Sequence, residues 1–336
     1  MNIEPPSSRP REISVTEPVS LAYARVKLML FQPFDLGKWF VIGFCAWLAG
    51  LGESGGGGGG FNFNNSFANK NVQPWDQLRH LYGVARDFVL ANMVWVLPVA
   101  GVAALIMLGL GLLILWLNCR GKFMFLHCVA RNRAEIVLPW DTYGGLANSL
   151  FWFRLVLSLV GMVAVLPFVI GLIVLIVRMV AAGEVNPPLI LGAVALGLGM
   201  LFLLVLLGLI HKFLGDFVVP IMYLRGTTCL AACREFLGLL SAQAGWFILY
   251  ILFQIVLAMV LGMLVVLIFL LTCCVACCLA MLPYIGTVVL LPILVFKRAY
   301  SAYFLAQFGP SYDVFPLEAP PVATAPPTGL QPLGPQ

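Results

Sequence analysis

The residues best suited to chemistry are Cys273, Cys274, Cys277 and Cys278, in the order Cys-Cys-Val-Ala-Cys-Cys. On a helix the pairs 273/277 and 274/278 each share a face, and thiolates at that spacing suit zinc or another soft metal. Metal binding needs ionised thiolates, yet no cationic residue stands nearby to stabilise them. Apolar surroundings raise a thiol's pKa, so packing of small polarizable side chains outweighs the metal reading. Redox chemistry and lipidation are the remaining alternatives. His127 beside Cys128, with Cys119 earlier, has the composition of a nucleophile and its base. Such a base must be oriented by a third group, and no acid stands close to it in the sequence. His80 falls on the polar face of an amphipathic stretch, and His211 adjoins Lys212, facing headgroups. Asp216 follows Lys212 by four residues, the spacing of a helical ion pair. The expectation is a non-enzymatic protein with no catalytic residues, no cofactor and no metal.

The elements that carry these residues are set by hydropathy. From Phe236 to Phe296 there is no charged residue, and Lys297-Arg298 then closes the run. Each membrane crossing takes roughly 20 apolar residues, so this stretch holds two helices and their turn. Mean hydropathy is +1.01 and only 10% of residues are charged, against about 25% in soluble domains. Too few polar residues remain to cover a core in water. The first twenty residues are polar and Pro-rich without an apolar centre, so a cleaved signal is not expected. The cysteines sit mostly in apolar segments and form no secreted disulfide framework. No basic tract is dense enough for nucleic acid.

These patterns predict an all-α, polytopic transmembrane helical bundle of about six spans with amphipathic interfacial helices. The spans fall at about 38–52, 92–117, 152–177, 187–210, 245–270 and 276–296. The first is short: fifteen residues rise only about 22 Å, so it borrows from 31–37, lets Glu53 snorkel, or crosses partly. Residues 1–17 and the Pro-rich tail 311–336 read as disordered, with the transmembrane domain over 18–310. Ser14 or Thr16 is a cap candidate before Pro18. The Gly-rich loop 53–72 carries six consecutive glycines, but no strand precedes them and no Gly-Lys-Ser/Thr follows, so it reads as a linker rather than a phosphate loop. Residues 74–93 have the pattern of a surface-lying amphipathic helix.

Stretches 138–153 and 225–240 each start near a polar cap candidate, Asp141 and Thr227, and run as a short helix into a span. Lys122-Phe123 and Lys212-Phe213 occupy equivalent places after spans. Together they suggest three degenerate repeats of an interfacial helix plus two spans. Pro167, Pro283 and Pro292 lie within apolar stretches, where close helix packing and broken transporter helices both use proline. No span carries a central Asp, Glu, Lys or Arg, which disfavours a proton-coupled transporter.

With the N-terminus inside, fifteen of the nineteen Lys and Arg residues fall on inner segments, among them Arg25, Lys27, Arg120, Arg131 and Arg133. That bias predicts both termini in the cytoplasm and the glycine loop outside. Arg25, Lys27, Arg131 and Arg133 are the basic candidates to face anionic headgroups. Membrane lipids are the expected partners, with a membrane-protein partner or a homo-oligomer also open. The alternative is a transporter or channel for a small neutral solute.

The stretches RVKLMLFQPFDLGKWFVIGFCAWLAGLGE (25–53), DFVVPIMYLRGTTCLAACREFLGLL (216–240) and PYIGTVVLLPILVFKRAYSAYFLAQFGPSYDVF (283–315) resemble an uncharacterised family of bacterial multi-pass membrane proteins. The middle stretch is also similar in style to the membrane domain attached to some glycerophosphodiester phosphodiesterases. There a proline after a span precedes a short amphipathic helix and the next span. The resemblance implies a multi-pass protein of the bacterial inner membrane and no transferable activity. The phosphodiesterase's barrel has no counterpart: the chain has three histidines and no His/Glu/Asp metal cluster.

Overall fold

The computed structural model describes residues 13–53, 87, 90–182, 187–271 and 282–315. All regular structure among them is helical. α1 (Glu17–Val26) continues through a π-helical turn to Phe31. Thr16 holds its N-cap position, while the Ser14 hydroxyl accepts from the backbone N–H groups of Thr16 and Glu17. α2 (Leu36–Gly50) starts at Asp35, whose side chain accepts from Gly37 N at 2.8 Å. α3 (Met93–Arg131) ends at Asn132 in the left-handed conformation. α4 (Val137–Thr142) leads into α5 (Gly144–Ala182). α6 (Pro187–Phe213) passes through a π-helical turn, Leu214–Val218, into α7 (Val219–Arg225). α8 (Cys229–Ala242), α9 (Ala244–Leu271), α10 (Pro283–Val289) and α11 (Leu291–Ala306) complete the chain.

Among the described residues, four helices are long and apolar enough to cross a membrane: Met93–Arg131, Gly144–Met179, Pro187–Arg225 and Ala244–Ile268. They match four of the expected spans. α3 has 39 residues and so rises about 58 Å, nearly twice a hydrocarbon core of about 30 Å. Burial shows how that length is used. From Met93 to Leu113 nearly all of its large side chains are exposed, with Val94 at 82% and Met107 at 70%. From Asn118 to Ala130 every residue except Arg120 is buried. α6 with its continuation into α7, and α9, repeat the division: Phe202 and Met263 are exposed, whereas Phe217, Val219, Phe247 and Tyr250 are fully buried. Leucine and phenylalanine left bare along whole helices are tolerable only in lipid. The molecule is therefore an apolar bundle facing lipid, joined end-on to a packed layer.

The packed layer is built from α1, α2, residues 118–131 of α3, the 214–225 segment, α8, α11 and residues up to Phe315. Its aromatic centre is Phe217, in ring contact with Phe236, Phe247, Tyr250 and Phe304 at centroid distances of 5.0–6.1 Å. The two ends of the described chain meet here, Ser14 N donating to Gln307 Oε1 at 2.7 Å and Tyr300 OH to Val15 O at 3.1 Å.

The structure refines the reading of two spans and corrects that of two caps. The short first span, 38–52, lies antiparallel to residues 118–131 of α3: Lys38 Nζ meets Asn132 Oδ1 at 2.8 Å, and Asn118 reaches the carbonyls of Ala49 and Leu51. α2 thus shares the level of the packed layer, not of the four exposed segments. Its end also brings Glu53, the first residue of the loop expected outside, against Lys122 and Arg154, two cations expected inside. The described part of 276–296 is not one helix but breaks between Val289 and Leu291. Pro292 sits in the first turn of α11, where its missing N–H and fixed φ suit a helix start and oppose continuation. The caps differ too. Asp141 lies inside α4, and Thr228 rather than Thr227 precedes α8, whose first N–H, at Cys229, is taken by Ser149 Oγ at 3.0 Å.

Candidate functional site: a charged junction between the two layers

Polar side chains of the long helices gather where the exposed segments end and the packed layer begins. α2 terminates through Gly52, whose φ of +75° is a left-handed conformation open to glycine. Its last carbonyls, at Ala49 and Leu51, accept from Asn118 Nδ2 at 2.6 and 2.8 Å. Asn118 Oδ1 in turn accepts from Arg154 Nη1 of α5. Arg154 Nη2 lies 3.0 Å from Glu53 Oε1, and the same oxygen takes Lys122 Nζ at 2.5 Å. Arg154 is only 4% exposed, while half of the Glu53 side chain is open. Partial burial pushes the Glu53 carboxyl up, but Lys122 and Arg154 more than reverse this and hold it below the ordinary carboxylate range.

The chain of contacts continues across α6. The absence of a side chain at Gly215 lets Lys122 approach: a Cβ there would stand 3.2 Å from its Nζ. Gly215 O accepts from Arg298 Nη1 of α11 at 2.6 Å. Next to it, Asp216 Oδ2 pairs with Lys212 Nζ at 2.9 Å, the pair read from the sequence, and also accepts from Tyr250 OH at 3.0 Å. Gln254 Nε2 donates to that phenol oxygen at 3.0 Å.

On another side of α3, Arg120 lies against two indoles that meet edge to face with centroids 5.7 Å apart. Its Cζ lies 4.6 Å from the Trp116 ring centroid and 4.5 Å from that of Trp140, and its Nη1 donates to Trp140 O at 3.1 Å. Trp116 Nε1 is fixed by Asn148 Oδ1 at 3.1 Å. Tryptophan and arginine both favour the membrane–water boundary, and this clamp sits where the exposed stretch of α3 stops.

The headgroup candidates named from the sequence lie elsewhere. Arg131 is thirteen residues beyond Asn118, about 20 Å along the helix. The Arg25 guanidinium turns inward onto the last carbonyls of α3, donating to Val129 O at 2.9 Å and Ala130 O at 2.7 Å, with the Phe315 ring 5.1 Å away. It thus caps a helix C-terminus. Lys27 and Arg131 are exposed, and Arg133 is exposed with Glu135 at 3.4 Å.

His127 and Cys128 both contact Glu135, an acid the sequence reading did not place within reach of His127, but they share no direct contact that would make them a nucleophile and its base. His127 meets Tyr223 OH at 3.2 Å and Glu135 at 3.7 Å, whereas Cys128 Sγ lies 3.9 Å from Cys45 Sγ and 3.6 Å from Glu135 O. His211 contacts the Leu207 carbonyl at 3.2 Å. Cys273, Cys274, Cys277, Cys278, His80 and the amphipathic stretch at 74–86 lie outside the described residues. Among the described residues no cluster of three His, Cys, Asp or Glu has the arrangement of a metal site.

Sequence reasoning placed Lys122, Arg154 and Arg298 near span ends but gave them no partners. Glu53 and Arg154 are 101 positions apart, and no local spacing signals such a pair. The only signal was that long apolar helices start or stop at single charged residues.

The fold and junction define a polytopic, all-α membrane protein. The chain belongs to a family of unknown function (DUF7544), whose model matches residues 13–282. Comparison with curated proteins and with solved structures finds no match.

Proposed function

We propose that this is a non-enzymatic protein of the bacterial inner membrane that binds and organises anionic lipids at the junction, with both termini in the cytoplasm. The observation that carries the reading is the Trp116–Arg120–Trp140 clamp, positioned where exposed apolar surface gives way to packed protein. A guanidinium held against two indoles at that depth is suited to a headgroup phosphate. The meeting of Ser14 with Gln307 supports termini on one side, and the lysine and arginine bias makes that side cytoplasmic. A non-enzymatic role is supported by the way the junction's carboxylates are engaged by neighbouring cations and a phenol. A pathway for a neutral solute is less favoured, because the exposed stretches of the long helices present almost only apolar side chains. The similarity of residues 216–240 to a phosphodiesterase's membrane domain concerns a membrane-embedded part alone.

Native mass spectrometry of the protein, gently extracted from its own membrane, tests this. Selective retention of anionic phospholipid is expected, reduced severalfold by Arg120→Ala with Trp140→Ala. A Lys27→Ala, Arg131→Ala, Arg133→Ala variant shows whether the more distant basic rim contributes. Equal retention of all lipid classes, unchanged in both variants, would sink the reading.

A further inference from the structure

Arg298 uses one side of its guanidinium and leaves the other idle. Nη1 donates to Gly215 O, while Nε and Nη2 are buried with no hydrogen-bond partner among the described residues. Those two nitrogens form one edge of the planar group, with two parallel N–H bonds that match the spacing of an oxyanion's oxygens. Arg154, 4% exposed, likewise has a buried Nε without a partner. Buried donors left unmatched are rare in folded proteins.

Charge points the same way. Among the described residues, Lys122, Arg154, Lys212 and Arg298 face two carboxylates, Glu53 and Asp216. Glu53 is taken by Lys122 and Arg154, and Asp216 Oδ2 by Lys212 and Tyr250. The cluster therefore carries two positive charges more than negative ones, in surroundings where charges seek partners. Lys122 and Arg298 meet at one residue, Gly215, which lacks the side chain that would crowd the lysine.

We propose that the junction holds an internal oxyanion site, in which a phosphate group binds bidentately to the Nε–Nη2 edge of Arg298, with Lys122 and Arg154 supplying the surrounding positive charge. The phosphate is either free or the headgroup of a lipid. The site is separate from the Trp116–Arg120–Trp140 clamp and does not depend on it.

The test is isothermal titration of the full chain in a neutral detergent, using inorganic phosphate in one series and dihexanoyl phosphatidic acid in another. Saturable binding of at least one probe is expected. Inorganic phosphate alone would identify a free anion, and phosphatidic acid alone a lipid headgroup. Arg298→Lys keeps the charge but removes the fork, and is expected to weaken binding roughly tenfold or more. Lys122→Met is expected to weaken it as well, providing a second reading if Arg298→Lys does not fold. Because the clamp can also take phosphatidic acid, that series is repeated on Arg120→Ala: binding that survives Arg120→Ala and falls with Arg298→Lys belongs to the junction, whereas binding lost with Arg120→Ala alone belongs to the clamp and counts against this site. The proposal is overturned if neither probe saturates the wild-type protein, or if a folded Arg298→Lys or Lys122→Met binds as wild type does.

Discussion

The two halves of α3 make an internal comparison. Residues 93–113 and residues 118–130 belong to one continuous helix, yet the first half exposes nearly every large side chain and the second buries nearly all of its residues. The exposed half contains glycines that touch nothing: a Cβ at Gly101, Gly109 or Gly111 would meet no atom within 4 Å. In the buried half, a Cβ at Gly121 would stand 2.5 Å from the Leu48 carbonyl carbon and closer still to Ala49 N. The exposed half has no charged residue, whereas the buried half and its margin hold Arg120, Lys122, His127 and Arg131. Lipid asks a helix surface only to be apolar, because hydrocarbon adapts to any side-chain shape. A protein neighbour also demands complementary shape and a partner for every polar atom. Charge is therefore found on α3 where protein can satisfy it.

The largest effect expected from breaking this contrast is at Arg154. Arg154→Met removes a cation from Glu53 and a donor from Asn118, leaving buried polar groups unmatched, at a cost of about 3–5 kcal/mol. Thermal unfolding in one detergent would show it, and a midpoint equal to wild type would mean that the junction is not a structural unit.

A second test sets two glycines of one helix against each other. Gly121→Leu must force α2 away from α3 and is expected to destabilise by about 3 kcal/mol. Gly109→Leu enlarges an open apolar face and is expected to stay within about 0.5 kcal/mol of wild type. Equal losses at the two positions would show that residues 93–113 are packed rather than facing lipid.

The smallest effect is that of pH on Glu53. Its pKa is lower in the folded protein than in the unfolded chain, where it is about 4.3. Its stabilisation is therefore present above that value and is lost as pH falls through the lower, folded one. Acidification below about pH 4 should lower the unfolding midpoint, and Glu53→Gln should flatten that part of the curve. Half of the Glu53 side chain is exposed, so screening keeps the change modest. A midpoint insensitive to Glu53→Gln across this range would remove the ion pairs from the account.

The sequence by itself determined that this is an all-α membrane protein, because its apolar stretches are too long and too free of charge for water, and four of them are long apolar helices among the described residues. It also determined the Lys212–Asp216 pair, since a spacing of four residues is local information. It did not separate helix surface that faces lipid from helix surface that faces protein, because hydropathy scores both as apolar. Residues 38–52 and 245–270 both read as spans, yet α2 packs beside the buried half of α3, while much of α9 is exposed. Only the tertiary structure joined Glu53 to Arg154, Lys122 to Gly215 and Gly215 to Arg298. These contacts link α2, α3, α5, α6 and α11, and such partnerships follow from how helices dock rather than from the preferences of any one segment.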